Sequence, residues 1–155
     1  MYWNINTLIS GLAILIFLAI YLVVLFSKPL TRLRELFLFY LFVMIFWSIS
    51  AFLASSGMVP VLPWFRAMSA SPMAMLLILY LFVQNLFGLR SKWKPLFVLY
   101  GICSILGNLF SNFIIKSAYL DKTGSLVYEF GLLLPIIALP GVLLVMSSLG
   151  QLIYG

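Results

Sequence analysis

The sequence contains no histidine, one cysteine and three acidic residues, and charged side chains make up only 8% of its 155 residues. A soluble domain carries roughly 25% charged residues on its surface, so this composition excludes an ordinary soluble fold. Its apolar fraction of 65% also excludes a disordered chain, which requires low hydrophobicity and high net charge. The single Cys103 excludes a disulfide framework. Lipid is therefore the expected solvent for most of this protein.

The same absences remove the usual catalytic and cofactor-binding chemistry. A hydrolase or transferase needs a nucleophile, a base and a group that orients the base, and none of the three carboxylates lies in an apolar run. Without histidine, the usual haem, zinc and copper ligands are missing. The nine lysines and arginines are dispersed and form no dense patch for nucleic acid. We therefore expect no enzyme activity, no cofactor, no metal and no nucleic-acid partner.

The sequence does contain a series of apolar runs of membrane-spanning length. A helix crosses the hydrocarbon core with roughly 20 apolar residues, and five such runs fit within this chain. They predict an all-α fold, a polytopic transmembrane helix bundle that forms a single membrane domain over residues 1–155. The predicted spans cover about residues 8–26, 36–54, 70–87, 96–115 and 132–153.

Proline and polar residues mark the connections between these spans. Pro60 and Pro63 interrupt residues 58–71, which we expect to form a loop at the headgroup level. Residues 116–131 have the composition of a polar loop. Pro72 is expected in the first turn of the third helix, where a missing amide hydrogen costs nothing.

Lysine and arginine are unequally distributed between the two sides of the predicted bundle. Six lie in or next to the first and third connections and three in or next to the second and fourth, where Asp121 and Glu129 partly neutralise them. The positive-inside bias then makes the first and third connections cytoplasmic. The amino terminus is predicted outside and the carboxy terminus inside.

The fourth predicted helix carries a polar face. Ser104, Asn108 and Asn112 recur at every fourth residue and therefore share one side of the helix. One interpretation is helix packing, because small residues allow close approach and amides form hydrogen bonds across the contact. The other is a polar pocket for a small ligand. The candidate ligand or helix-contact residues are Ser104, Asn108, Ser111, Asn112, Trp47 and Arg66.

Two stretches carry a family resemblance. They are RLRELFLFYLFVMIFWSISAFLASS, and WFRAMSASPMAMLLILYLFVQNLFG followed by a basic turn. Together with GSLVYEFG at residues 124–131, they resemble the amino-terminal membrane region of seven-transmembrane sensor histidine kinases. The matching positions are Leu36, Phe37, Trp47, Ser48, Phe52, Trp64, Arg66, Pro72, Phe82 and the turn 88–94.

This resemblance implies a bacterial inner-membrane protein with an outward amino terminus and a signal-input role. The family continues into two more helices and a kinase region, which this sequence lacks, so phosphotransfer by this chain alone is not expected. Two hypotheses follow. The chain is either a sensor module that acts on an output signalling domain, or an accessory subunit of a larger inner-membrane complex, energy-transducing in one version. In both, its partners are the lipid bilayer and other membrane proteins.

Overall fold

From residue 5 to residue 132, the described residues form four helices followed by one antiparallel hairpin. The computed structural model describes residues 5–29, 31–88, 92, 94–132 and the single positions 142, 146 and 150. In chain order, the elements are α1 (Ile5–Phe26), α2 (Arg32–Ser56), α3 (Val61–Leu86), α4 (Lys94–Phe110), β1 (Ile115–Leu120) and β2 (Leu126–Phe130).

Helices α1, α2 and α3 are each long enough and apolar enough to cross a membrane. At 1.5 Å per residue, their 22, 25 and 26 residues reach roughly 33–39 Å, which exceeds the ~30 Å hydrocarbon core. Helix α4 is also apolar, but its 17 residues reach only about 26 Å. The described residues are thus mostly helical and fit a membrane helix bundle.

Helices α1 and α2 pack antiparallel. Near the start of α1, the Thr7 and Ser55 hydroxyl oxygens lie 3.2 Å apart in a buried contact. At the opposite end, the Arg34 guanidinium donates to the carbonyls of Val24 and Leu25 at 2.9 and 2.5 Å. These carbonyls belong to the last turn of α1, which no further helical turn supplies with donors. Ser27 also donates to the Val24 carbonyl, through its amide at 3.3 Å and its hydroxyl at 2.8 Å, so Arg34 adds to this cap.

Helices α3 and α4 also run in opposite directions. The rings of Tyr80 and Phe97 meet edge to face, with centroids 5.5 Å apart. Closer to the start of α3, the Leu77 side chain packs closely on Gly101 of α4. Arg66, near the start of α3, contacts the residues that follow α4. The hairpin and the 57–60 turn therefore share one end of the bundle, here named the hairpin end. The described residues that follow α1 and α3, residues 27–29 and 87–88, lie at the other end, here named the basic end.

The start of α3 corrects the predicted loop at residues 58–71, because the helix already begins at Val61. Pro63 is its third residue and lies in the first turn, where an amide hydrogen would have no helical acceptor. Gly57 ends α2 with φ = 66°, a left-handed conformation that glycine adopts without a Cβ clash. Pro72 lies in the interior of α3, not in its first turn. Membrane helices tolerate such a proline when neighbouring groups satisfy the freed carbonyl.

The hairpin corrects two further predictions. Helix α4 ends at Phe110, whereas the fourth span was predicted to reach residue 115, and residues 116–131 contain paired strands instead of an irregular loop. Strands β1 and β2 pair from Ile115 opposite Phe130 to Leu120 opposite Leu126, with an irregularity between Ile115 and Ser117. The all-α prediction therefore holds for the helices but omitted this small sheet.

The hairpin packs on the first turns of α3. A buried cluster joins Phe65 of α3 to Ile114, Ile115 and Ala118. The open end of the hairpin is closed by Gly131, whose amide donates to the Ile114 carbonyl at 2.8 Å. The fifth predicted span, 132–153, lies outside the described residues except at Leu132 and three single positions, so it stays a prediction.

The turn between β1 and β2 is held by Asp121. Its carboxylate accepts the Thr123 amide at 2.8 Å, the Thr123 hydroxyl at 2.6 Å and the Ser125 amide at 2.9 Å. The Thr123 hydroxyl first, and then the Ser125 amide, lower the pKa of Asp121 below its ordinary value, because these bonds favour the charged carboxylate. Gly124 completes the turn with φ = 79°.

Candidate functional site: a polar seam and an aromatic groove

A polar seam runs between α3 and α4 at the hairpin end. It consists of Arg66, Ser69, Ser104, Asn108 and Asn112. The Ser69 hydroxyl donates to the Asn108 amide oxygen at 3.1 Å, and the Asn108 amide nitrogen donates to the Ser104 carbonyl at 2.9 Å. Asn108 is 2% exposed and Ser104 is 3% exposed. The predicted polar face of α4 is therefore turned toward α3.

Arg66 occupies the outer part of this seam. One nitrogen of its guanidinium, Nη2, donates to the Asn112 amide oxygen and to the Ile115 carbonyl, the latter at 2.9 Å. Asn112 follows the end of α4, and Ile115 is the first residue of β1. A single side chain therefore joins α3, the end of α4 and the hairpin. The long guanidinium suits this task because its several donors point in fixed directions.

Ser111 does not join the seam. It lies just beyond α4, and its hydroxyl accepts the Phe113 amide at 3.1 Å, which stabilises the turn that leads into the hairpin. Ser111 and Asn112 were predicted to lie inside the fourth helix, on adjacent stripes. Because the helix ends at Phe110, Ser111 serves the turn while Asn112 remains within reach of Arg66.

Trp47 lies on α2 and faces a different feature, the aromatic groove between α2, α3 and β2. The groove encloses about 350 Å³ and is lined by Trp47, Phe65, Met68, Ser69, Pro72, Leu126, Tyr128 and Phe130. Three of the aromatic rings that line the groove contact one another. Phe65 stacks on Tyr128 with centroids 5.0 Å apart, and Tyr128 meets Phe130 at the same separation with tilted planes. The volume lies at the lower end of the range for small-molecule sites, roughly 300–1,000 Å³.

Ser69 connects the two features. Its side chain lines the groove and donates to Asn108 in the seam. The sequence predicts a pocket lined by Asn108 and Asn112, with Trp47 or Arg66 nearby. The structure instead distributes them over neighbouring sites that share Ser69, with Trp47 in the groove and Arg66 in the seam.

Buried polar atoms without partners are concentrated along α3 and α4. Among the described residues, Arg66 Nε, Ser104 Oγ and Gln84 Oε1 are buried without a hydrogen bond. The Gln84 amide nitrogen donates to the Tyr80 hydroxyl at 3.1 Å. An unpaired buried polar atom costs about 1–3 kcal/mol. Two of these three atoms, Arg66 Nε and Ser104 Oγ, belong to the polar seam.

The site offers binding and packing groups and little else. In the part of the chain that the structure describes, no three potential ligands from histidine, cysteine, aspartate and glutamate come together for a metal. Glu129 Oε2 lies 3.8 Å from Lys116 Nζ in an exposed ion pair. The Asp121 carboxylate accepts hydrogen bonds within the hairpin turn. Such a set can recognise a ligand through rings and hydrogen bonds, and it can transmit a shift between helices.

Most residues that line the aromatic groove were not among the predicted site residues. Phe65, Met68 and Ser69 were assigned to a loop, and Tyr128 and Phe130 to another. The available signal was the alternation of Leu126, Tyr128 and Phe130 after the Asp-Lys-Thr-Gly turn, because alternate residues of a strand share one face.

The chain matches no protein-family model, and no curated protein and no solved structure is significantly similar to it.

Proposed function

We propose that this chain is a non-catalytic, multi-pass membrane protein that acts as a signal-input module. A change at the aromatic groove is passed to the packing of α4 against α3, and from there to an output domain or partner subunit. The observation that carries this proposal is Arg66, whose guanidinium contacts both the end of α4 and the start of the hairpin. The resemblance to the sensor region of membrane histidine kinases supports the same role.

The coupling follows from the shared contacts. A ligand that displaces Phe65 or Tyr128 moves the hairpin, because these rings stack on each other. Movement of the hairpin shifts the Ile115 carbonyl, which is bonded to Arg66. Arg66 in turn holds Asn112 at the end of α4. A displacement at the groove therefore reaches α4 through directional bonds, and the partly satisfied seam lowers the cost of a second arrangement.

The test fills the groove and measures the position of α4. Pro72→Phe adds a ring at the groove without removing a hydrogen bond, since proline has no amide hydrogen, and Pro72→Ala is the matched control. Spin labels are attached at Cys103, which is exposed on α4, and at Val23→Cys, which is exposed on α1. Three interhelix spacings of 8–10 Å separate these helices by roughly 20–30 Å, within range of pulsed electron resonance.

We expect Pro72→Phe to displace the distance distribution by about 2 Å, in the range of helix shifts that serve as switches. Arg66→Gln in the same background should abolish the displacement, because glutamine is too short to reach both acceptors. Identical distributions in Pro72→Phe and Pro72→Ala would refute the coupling.

The proposal includes an orientation and a span count. The helices alternate in direction, so the basic end collects Lys28, Arg32, Arg34, Lys92 and Lys94, whereas the hairpin end has three cations and two carboxylates. We propose that the basic end is cytoplasmic, that the hairpin end and the amino terminus are outside, and that residues 132–153 form the fifth span. The membrane is the bacterial inner membrane.

The orientation is tested in intact cells in a Cys103→Ala background. A membrane-impermeant maleimide should label Lys122→Cys in the hairpin turn. It should label Lys92→Cys only after the cells are opened. The reverse pattern would overturn the orientation while leaving the fold unaffected.

A second function, that of an accessory subunit, is favoured by α1. No residue in its most apolar 18-residue window is buried, and its exposed side chains include Leu12, Leu15 and Val23. This surface is suited to contact with a neighbouring membrane protein. Extraction in a gentle detergent distinguishes the two functions. A stoichiometric set of other membrane proteins supports the subunit, and isolation as a lone bundle rejects it.

A further inference from the structure

The aromatic groove has a distinctive chemical lining. Four of its eight lining residues are aromatic, and none is charged. The nearest charged side chains are engaged elsewhere. Arg66 is bonded toward α4, and Glu129 pairs with Lys116 on the strand face opposite Tyr128 and Phe130. A charged ligand group would therefore enter the groove without a counter-charge, at a substantial desolvation cost. The groove selects an uncharged ligand.

The groove also presents hydrogen-bond donors that the described residues leave unused. Neither the Trp47 indole N–H nor the Tyr128 hydroxyl has a hydrogen-bond partner among the described residues. Tyr128 is 46% exposed and Trp47 is half-buried, so both side chains can be reached from outside the fold. Ser69 offers no free hydrogen, because it donates to Asn108. Two free donors beside aromatic walls match an apolar ring that carries hydrogen-bond acceptors.

We propose that the aromatic groove binds a lipid-soluble molecule with a single flat, uncharged ring bearing carbonyl oxygens, the chemistry of a quinone. The ring packs against the aromatic walls, and its carbonyls accept from Trp47 and Tyr128. A volume of about 350 Å³ admits one substituted ring. An apolar tail remains in the surrounding lipid. This inference rests on the proposed function and names the ligand class of the same site.

Binding is measured by tryptophan fluorescence in phosphatidylcholine nanodiscs. The protein carries Trp3→Phe, Trp64→Phe and Trp93→Phe, so that Trp47 is the only reporter. The probes are 2-decyl-1,4-benzoquinone and decylbenzene, which share the six-membered ring and the ten-carbon tail and differ in the two carbonyl groups. The control reporter is Phe82→Trp in a tryptophan-free background. Phe82 lines a separate apolar cleft of about 240 Å³ between α2 and α3, so it reports quenching by quinone dissolved in the lipid.

We expect saturable quenching of Trp47 by the quinone and only linear, non-saturating quenching of the control reporter. Tyr128→Phe keeps the ring that stacks on Phe65 and removes only the hydroxyl. The loss of one hydrogen bond of ~0.5–1.5 kcal/mol corresponds to about a twofold to tenfold weaker affinity. Decylbenzene, detected by competition with the quinone, should bind at least tenfold more weakly.

Equal affinities for the two probes, or an unchanged affinity in Tyr128→Phe, would overturn the inference. Should Tyr128→Phe fail to fold, the comparison of the two probes on the parent protein decides the question. The distance between Cys103 and Val23→Cys separates this result from the proposed function. Quinone binding without a displacement of α4 rejects the signalling role and retains the ligand. A displacement of α4 by Pro72→Phe without quinone binding retains the signalling role and rejects the quinone as ligand.

Discussion

Gly131→Ala is the most informative single substitution in the hairpin. A Cβ atom at this position would lie 1.9 Å from the Phe113 carbonyl oxygen, 2.3 Å from its carbonyl carbon and 3.0 Å from the Ile114 nitrogen. All three are backbone atoms, so no side-chain rotation relieves the clash. The backbone at Gly131 must move away from the backbone of Phe113 and Ile114. The 2.8 Å hydrogen bond from the Gly131 amide to the Ile114 carbonyl is then lost. Overpacking costs ~1–3 kcal/mol and the lost bond ~0.5–1.5 kcal/mol, so we expect about 2–4 kcal/mol in total.

The assay is the free energy of unfolding in mixed detergent micelles, together with hydrogen exchange of the hairpin amides. Gly150→Ala is the control, because its added Cβ would have no neighbour within 4 Å; since Gly150 is helical, alanine should stabilise the protein by about 0.5–1 kcal/mol there. We expect exchange to accelerate in β1 and β2 and to remain unchanged in α1. Equal stability of the two variants would show that the hairpin does not close at Gly131.

Three further predictions concern helix packing, a helix end and the hairpin turn. Gly101→Ala places a Cβ 3.0 and 3.2 Å from two methyl carbons of the facing leucine and should cost ~1–3 kcal/mol by the same micelle assay; no loss would contradict the close contact of α3 with α4. Arg34→Met should speed amide exchange in the last turn of α1, whereas Arg32→Met, which removes an exposed side chain, should not. Because the hydrogen bond from Thr123 lowers the pKa of Asp121 from its ordinary value of 3.8, the turn is stabilised above that pH and loses this support as pH falls through the lower folded-state pKa. The Thr123 amide resonance should therefore hold constant from pH 8 to 5 and shift only in stronger acid; persistence of that acid shift in Asp121→Asn would refute the assignment.

The apolar runs were the reliable part of the sequence. Residues 8–26 and 36–54 lie within α1 and α2, because a run of this length without charge has no alternative to a helix in lipid. Proline was the misleading signal. Pro60 lies outside the helix as its N-cap, but Pro63 lies in the first turn of α3, where proline costs no hydrogen bond. Because the first turns of α3 were predicted as a loop, Phe65, Met68 and Ser69 were not among the candidate site residues.

The spacing predicts the polar face of α4, and the structure buries Ser104 and Asn108 of that face. Spacing could not identify the opposite partners. Asn108 pairs with Ser69 and Asn112 with Arg66, residues 39 and 46 positions away in the chain. Such pairs depend on how far one helix slides along another, and that register is set by Leu77 against Gly101 and by the hairpin.

The sequence by itself determined that several segments are apolar enough and long enough to form membrane-spanning helices, because the length of an apolar run is a property of the local sequence. It also determined which side of α4 is polar, since helix periodicity is local. Only the tertiary structure decided that Trp47 and Arg66 belong to neighbouring sites joined by Ser69, and that the residues after α4 form strands. Those outcomes depend on contacts between distant segments, whose free energy no local stretch of sequence contains.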